Sequence, residues 1–216
     1  MASGSGLGGY PVNLLVAERR CVVIGAGRIA ARKIEALLAA DAQVHVVAPE
    51  IGDEVAAWRD AGRLEVSDRP FADTDLDGAW LVTVATDDPA TSAAVFTAAE
   101  RRRLWCNSAD DPENCSFTLM SVVRQGDLVV TIGTGGRSPA LATYLKDHVA
   151  EEMGPEWAEL LELLSEARER VRAGGRTSES VDWRRALDSG MLELIRAGRR
   201  AEAKELLEAC LSSSSD

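Results

Sequence analysis

Gly25, Gly27 and Ala30 occupy the first, third and sixth positions of Gly25-Ala26-Gly27-Arg28-Ile29-Ala30, and that spacing does the chemistry of phosphate binding. A glycine at the first position permits a tight turn. A missing side chain at the third lets a pyrophosphate approach the backbone, and a small sixth residue lets the next helix pack closely on the preceding strand. A helix starting here aims its free N–H groups and the positive end of its dipole at the phosphates.

The flanking residues must supply that strand and helix. Cys21-Val22-Val23-Ile24 is a short apolar, β-branched run of the kind that forms a buried parallel strand. Ile29, Ile34, Leu37 and Leu38 then recur at helical period. Strand, glycine turn and helix together separate a dinucleotide motif from an ordinary βα turn that carries glycines. Gln43–Ala48 is a second strand, ending at Pro49-Glu50. Glu50 falls 20 residues after Ala30, near the place of a ribose-binding acid, although it could equally cap the following helix. No basic residue follows it at once, which favours NAD over NADP.

Further along, Glu54–Ala61 reads as a short helix and Leu64–Ser67 as a short strand. The acidic stretch 71–78 reads as a solvated connection. Trp80–Ala85 is another buried strand, leading into Thr86-Asp87-Asp88-Pro89, where Asp88 suits a helix cap. A helix then runs to Arg103, whose arginines 101–103 complement its dipole, and Leu104-Trp105-Cys106 enters a fifth strand. Phe117–Val123 and Leu128–Ile132 form a hairpin joined by Arg124-Gln125-Gly126-Asp127. Its second strand passes into Gly133-Thr134-Gly135-Gly136-Arg137-Ser138-Pro139, with Ser138 as N-cap and Pro139 in the first turn. Open backbone N–H groups at Gly135 and Gly136, with Arg137 alongside, suit a carboxylate or phosphate, as well as a plain strand-to-helix connection. From Glu151 onward the chain is helical. Trp157, Leu160, Leu161, Leu164 and Val171 make one apolar face, and Gly174-Gly175 makes a break.

The composition narrows the class. Against 24 Lys and Arg stand 35 Asp and Glu, a net charge of −11 that argues against a general nucleic-acid or membrane surface. No apolar run is long enough to span a membrane, and the first residues lack a signal peptide's basic and apolar regions. The four cysteines include no C-x-x-C pair, and no Cys/His spacing suggests a metal site. His45 reads as a structural strand residue and His148 as a surface helix residue. The expectation is a cytoplasmic protein.

Five segments, in order, carry a resemblance: Gly25–Lys33, Ala85-Thr86-Asp87-Asp88, Cys106-Asn107-Ser108-Ala109-Asp110, Ser116-Phe117 and Thr134–Ala142. Over residues 10–210 the chain resembles the precorrin-2 dehydrogenase/sirohydrochlorin ferrochelatase family, the siroheme-synthase module in its stand-alone form. Met120 departs from the proline that many members carry there. The resemblance implies an α/β fold: a Rossmann-like parallel sheet domain, a β-containing dimerisation region and a small C-terminal helical domain. The expected bounds are a disordered tail at 1–9, the NAD-binding domain at 10–115, the dimerisation region at 116–150, the helical domain at 151–211 and a tail at 212–216.

It also implies a homodimer in which NAD⁺ oxidises precorrin-2, a tetrapyrrole, to sirohydrochlorin. In some relatives Fe²⁺ is then inserted as a substrate, while others are dehydrogenases only. Asp110 matches the catalytic aspartate, with Asp111 adjacent. Arg28, Ile29, Pro49 and Glu50 match NAD contacts, with Thr86 and Asn107 expected nearby. Gly135, Gly136, Arg137 and Ser138 are the candidate cradle for substrate carboxylates, and no resident metal site is expected. Two alternatives are a non-catalytic NAD-sensing module and a dehydrogenase for another small metabolite, for which only Lys146 and His148 offer a second-half acid or base.

Overall fold

The computed structural model describes residues 9–109, 111–177, 179 and 181–212. Of the expected tails at 1–9 and 212–216, residues 1–8 and 213–216 lie outside the described residues, as does Asp110. Two compact units divide the chain between Leu119 and Met120.

The first unit alternates strand and helix: β1 (Arg20–Ile24), α1 (Arg28–Leu38), β2 (Gln43–Ala48), α2 (Asp53–Asp60), β3 (Glu65–Asp68), β4 (Leu81–Val84), α3 (Pro89–Arg102) and β5 (Trp105–Ser108). Its five strands are parallel in the order β3-β2-β1-β4-β5. Alternate residues of β1 feed two cores. Cys21 and Val23 pack with Ala30, Ala31 and Ile34 of α1 and Val55 of α2. Val22 and Ile24 pack with Val82, Cys106 and Val95 of α3. Burial on both faces explains why these strands read as unbroken apolar runs.

The acidic connection is solvated only in part, for Asp73 and Asp77 are exposed while its centre is not. Asp73–Leu76 forms a 3₁₀ turn in which Asp75 and Leu76 are buried. Asp75 accepts from Arg69 at 2.9 and 2.5 Å and from the Ala72 N–H at 2.8 Å. Asp73 pairs with Arg101 and Arg102, and Asp77 with Arg102. The arginines at the end of α3 therefore clip this turn rather than only facing the helix dipole.

The second unit opens with the antiparallel hairpin of β6 (Ser121–Gln125) and β7 (Leu128–Ile132). Arg124 and Gln125 pair with Val129 and Leu128 instead of joining the connection, which is Gly126-Asp127 alone, and Gly126 takes φ +55°, a backbone that favours glycine. β6 begins four residues later than Phe117. Its register sets Ser121 opposite Ile132, and the glycine-rich turn beyond Ile132 leaves 117–120 no strand partner in the hairpin. Residues 116–117 lie instead along β5, where the Ser116 N–H donates to the Cys106 carbonyl at 2.8 Å. The Met120 side chain covers Gly133, where a Cβ would stand 3.1 Å from its Sδ.

Helices α4 (Pro139–Glu152), α5 (Glu156–Ala173), α6 (Trp183–Leu187), α7 (Met191–Arg196) and α8 (Arg200–Ser212) complete the unit. The buried stripe of α5 is Leu160, Leu163, Ala167 and Val171, with Leu163 rather than Leu161 at its centre. It packs on Met191, Ile195, Ala203 and Leu207. Helix α5 ends at Gly174, at the expected break.

Candidate dinucleotide-binding site

In a parallel sheet all carboxyl ends share one edge, and the registers here keep them level: Ile24 lies beside Val47 and Val84, and Val84 beside Ser108. The residues that follow these strands are therefore brought into one row, Pro49 and Glu50 after β2, Gly25–Gly27 after β1 and Thr86 after β4. Asn107 is the penultimate residue of β5.

Gly25 has φ +108°, and a Cβ there would stand 2.2 Å from the Ala85 carbonyl oxygen. The turn is tight because the backbone leaving β4 crosses over it. Gly27 is the opposite case, since a Cβ on it would meet nothing within 4 Å. That open space adjoins the start of α1, whose first turn carries no acidic residue and no side-chain cap. First-turn amides have no intrahelical acceptor, so they and the helix dipole favour an anion there. Arg28 and Ile29 are exposed at this end, whereas Ala30 is fully buried against β1, as its small size requires.

Glu50 is exposed and does not cap α2, whose N-cap is Gly52 without a side-chain hydrogen bond. The capping alternative is thus removed. Gly52 itself was not singled out from the sequence. Its N–H donates to the Ala26 carbonyl at 3.1 Å, and a Cβ would stand 2.7 Å from that oxygen. It braces the glycine turn from the β2 side. Its signal was a lone glycine in a connection, which had no local meaning.

After β4, the Thr86 hydroxyl accepts from the Asp88 N–H at 3.3 Å. Asp88 caps α3 as expected, accepting from the Thr91 hydroxyl at 2.6 Å and the Ala90 N–H at 3.0 Å. The bond from Thr91, then that from Ala90, holds its carboxyl below the usual range.

Asn107 is 7% exposed and engaged at both ends of its amide. Its Oδ1 accepts from Lys33 Nζ at 2.9 Å, and its Nδ2 donates to the Phe117 carbonyl at 3.1 Å. Ser108 N–H donates to Cys115 Sγ at 3.1 Å, and that thiol lies 3.3 Å from the carbonyls of Ser108 and Asp111. Lys33, Cys115 and Ser116 thus shape the loop after β5. Lys33 and Ser116 stood only inside longer motifs in the sequence.

In the second unit, Gly135 and Gly136 take φ +60° and +74°. Ser138 caps α4 by accepting from the Leu141 N–H at 3.2 Å, with Pro139 in the first turn. The Arg137 and Ser138 amides are already engaged by Thr134, at 3.1 Å to its carbonyl and 3.2 Å to its hydroxyl. Of the expected open amides, those of the two glycines remain.

Elsewhere, His45 is structural: Nε2 is 2.9 Å from Ser67 Oγ, and Nδ1 is 3.2 Å from both Arg20 and Glu65. His148 is exposed and stacks on Tyr144. Among the described residues no three His, Cys, Asp or Glu side chains gather as a metal site. No described helix is long and apolar enough to cross a membrane.

A family model described as NAD(P)-binding matches residues 12–121. The chain is 31% identical over 203 residues to siroheme synthase of Nitrosococcus oceani, covering 93% of this chain and 43% of that protein. It is 33% identical over 209 residues to siroheme synthase of Thioalkalivibrio sulfidiphilus, covering 96% and 43%. The chain thus spans less than half the length of these relatives. A solved structure titled "SirC, precorrin-2 dehydrogenase" superposes with a TM-score of 0.71 at 24% identity, covering 94% of this chain and 99% of that one. That likeness agrees with the fold described above, a parallel Rossmann-like sheet followed by a hairpin and helices. The chain belongs to the NAD(P)-binding family matched over residues 12–121, and along nearly its whole length it is a relative of the siroheme synthases.

Proposed function

We propose that the protein oxidises precorrin-2 to sirohydrochlorin with NAD⁺, and that Fe²⁺ insertion into the product is a second reaction at the same centre. The observation that carries the reading is the open space at Gly27, facing an acid-free helix start and in one row with Glu50, Thr86 and Asn107. The extent of the likeness to siroheme synthases supplies the substrate.

When bound, NAD⁺ supplies the two-electron oxidant by accepting a hydride. Gly27 and the first-turn amides of α1 hold its pyrophosphate, with Arg28 and Ile29 beside it and Pro49 lining the ribose. Glu50 accepts from the ribose hydroxyls and repels a 2′-phosphate, helped by Asp53 and Glu54 in the first turn of α2. Asp110 takes the proton released with the hydride, and in metal insertion it assists loss of the two pyrrole protons. Gly135, Gly136, Arg137 and Ser138 receive substrate carboxylates, a need made acute by the chain's net charge of −11.

The working form is a homodimer joined through the hairpin. Val122 and Val129 are exposed on it, 46% and 40%, as are Leu141 and Tyr144 on α4. The four cysteines are free thiols, which supports a reducing, cytoplasmic setting.

The test is anaerobic turnover of fresh precorrin-2 with NAD⁺, following NADH and sirohydrochlorin by absorbance, then Fe²⁺ addition against an enzyme-free control. Equimolar NADH and sirohydrochlorin, abolished in Asp110→Ala with NAD⁺ binding intact, is the expected result. NAD⁺ binding without turnover would replace this reading with the sensor module. Metal insertion no faster than the control would leave a dehydrogenase only.

A further inference from the structure

We infer that Lys33 is a positioning residue for the dehydrogenation step, acting through the side-chain amide of Asn107 on the loop that follows β5; the inference rests on the dehydrogenase reading above. An ammonium group can only donate hydrogen bonds. With Lys33 Nζ 2.9 Å away, the facing atom of Asn107 must be its oxygen, and the amide can take only one of its two orientations. Nδ2 is thereby turned toward the Phe117 carbonyl at 3.1 Å and, more weakly, Cys115 Sγ at 3.7 Å. Reversal would set an amide oxygen against a carbonyl oxygen, and at 7% exposure Asn107 has little water to turn to.

The atoms that Asn107 holds are the far side of a closed loop. Cys115 ties back to Ser108 and Asp111, and Ser116 ties back to Cys106, where its Oγ accepts the Cys106 N–H at 2.8 Å. The proposed base, Asp110, lies within this stretch of sequence. Lys33 stands on α1, roughly 8 Å along the axis from the turn that faces the dinucleotide phosphates. One helix therefore sets both the cofactor's phosphates and the orientation of the amide that closes the loop. A proton acceptor displaced by as little as an ångström loses much of its effect on rate, while the phosphate contacts at the first turn of α1 do not involve the Asn107 amide.

The experiment compares wild type, Lys33→Met and Lys33→Arg in precorrin-2 turnover, NAD⁺ affinity and the alkylation rate of Cys115 by iodoacetamide. Lys33→Met keeps the length of the side chain and removes the donor. It is expected to lower kcat about 10-fold or more, to weaken NAD⁺ binding by less than it lowers kcat, and to speed Cys115 alkylation several-fold. Lys33→Arg restores most of kcat and the slow alkylation. Unchanged kcat, or unchanged alkylation, in Lys33→Met would overturn the proposal. So would a joint fall of kcat and NAD⁺ affinity that arginine does not rescue, because that is general damage to α1. A wild-type protein that binds NAD⁺ but does not oxidise precorrin-2 fails before any variant is compared, and this marks failure of the underlying reading.

Discussion

A side chain at Gly25 has nowhere to go, and a side chain at Gly27 would enter the open space proposed for the cofactor. The two glycines thus give opposite expectations for the same change. Gly25→Ala forces a Cβ to within 2.2 Å of the Ala85 carbonyl oxygen at φ +108° and should cost about 3 kcal/mol or more of stability, read by urea unfolding. Gly27→Ala should unfold like wild type yet weaken NAD⁺ binding by about 10-fold or more, read by calorimetric titration. Normal affinity in Gly27→Ala would remove the phosphate from the start of α1. The thiols divide in the same way. Burial pushes Cys21 up to about 11 and Cys106 up to about 12, and both are fully buried, so neither offers thiolate near neutral pH. Of the three cysteines in the first unit, Cys115 should be the one alkylated in the native protein, which peptide mass spectrometry would show.

Among the elements, the turn at 73–76 depends most on charge. Arg69, beside Asp75, holds that carboxyl below the usual range, and Arg102 does the same for Asp73. A depressed folded pKa stabilises above the unfolded value, near 3.9, and the gain is lost as pH falls through the folded one. Asp75→Asn should therefore cost about 1–3 kcal/mol at pH 7, discounted for the half-exposed Arg69, and the gap from wild type should narrow below about pH 4. A gap that held constant into acid would mean packing rather than ionisation. Asp73 and Asp77 read as solvated because their partners Arg101 and Arg102 lie more than 24 residues away, and Arg69, close in sequence to Asp75, carried no pairing signal of its own. The same reason hid Gly52 against Ala26 and Lys33 against Asn107. Features set by neighbours in sequence were legible: the apolar runs of β1, β2 and β4, the glycine spacing, and the caps at Asp88 and Ser138. The start of β6 was not, because register in a hairpin is counted back from its turn, and Gly126-Asp127 leaves Phe117 beyond the last pair.

For the whole molecule, the proposed cofactor site and the proposed substrate cradle belong to different compact units, Gly25–Asn107 in one and Gly135–Ser138 in the other. Changes in the second unit should therefore spare NAD⁺ affinity. Arg137→Ala is expected to raise the KM for precorrin-2 several-fold with an unchanged NAD⁺ Kd, and a matched loss of both would remove Arg137 from the cradle. The dimer proposal is tested on the hairpin: Val122→Lys puts a charge on an exposed apolar strand face and should halve the mass seen by light scattering. A wild-type monomer would refute it.

The place of β1 in the sheet also has a consequence in time. It is the first strand in the chain and the middle one in space, so it pairs with β2 across about twenty residues but with β4 across about sixty. Closing the longer loop is entropically dearer, and the β1–α1–β2 unit should assemble before β4 docks on its free edge. On this hypothesis Val46→Ala slows refolding, whereas Val82→Ala chiefly hastens unfolding, and stopped-flow rates in the reverse pattern would sink it. Until β4 arrives, the strand that leads into the cofactor site stands with one hydrogen-bonding edge bare, which is the interval when a newly made chain is most open to wrong pairing.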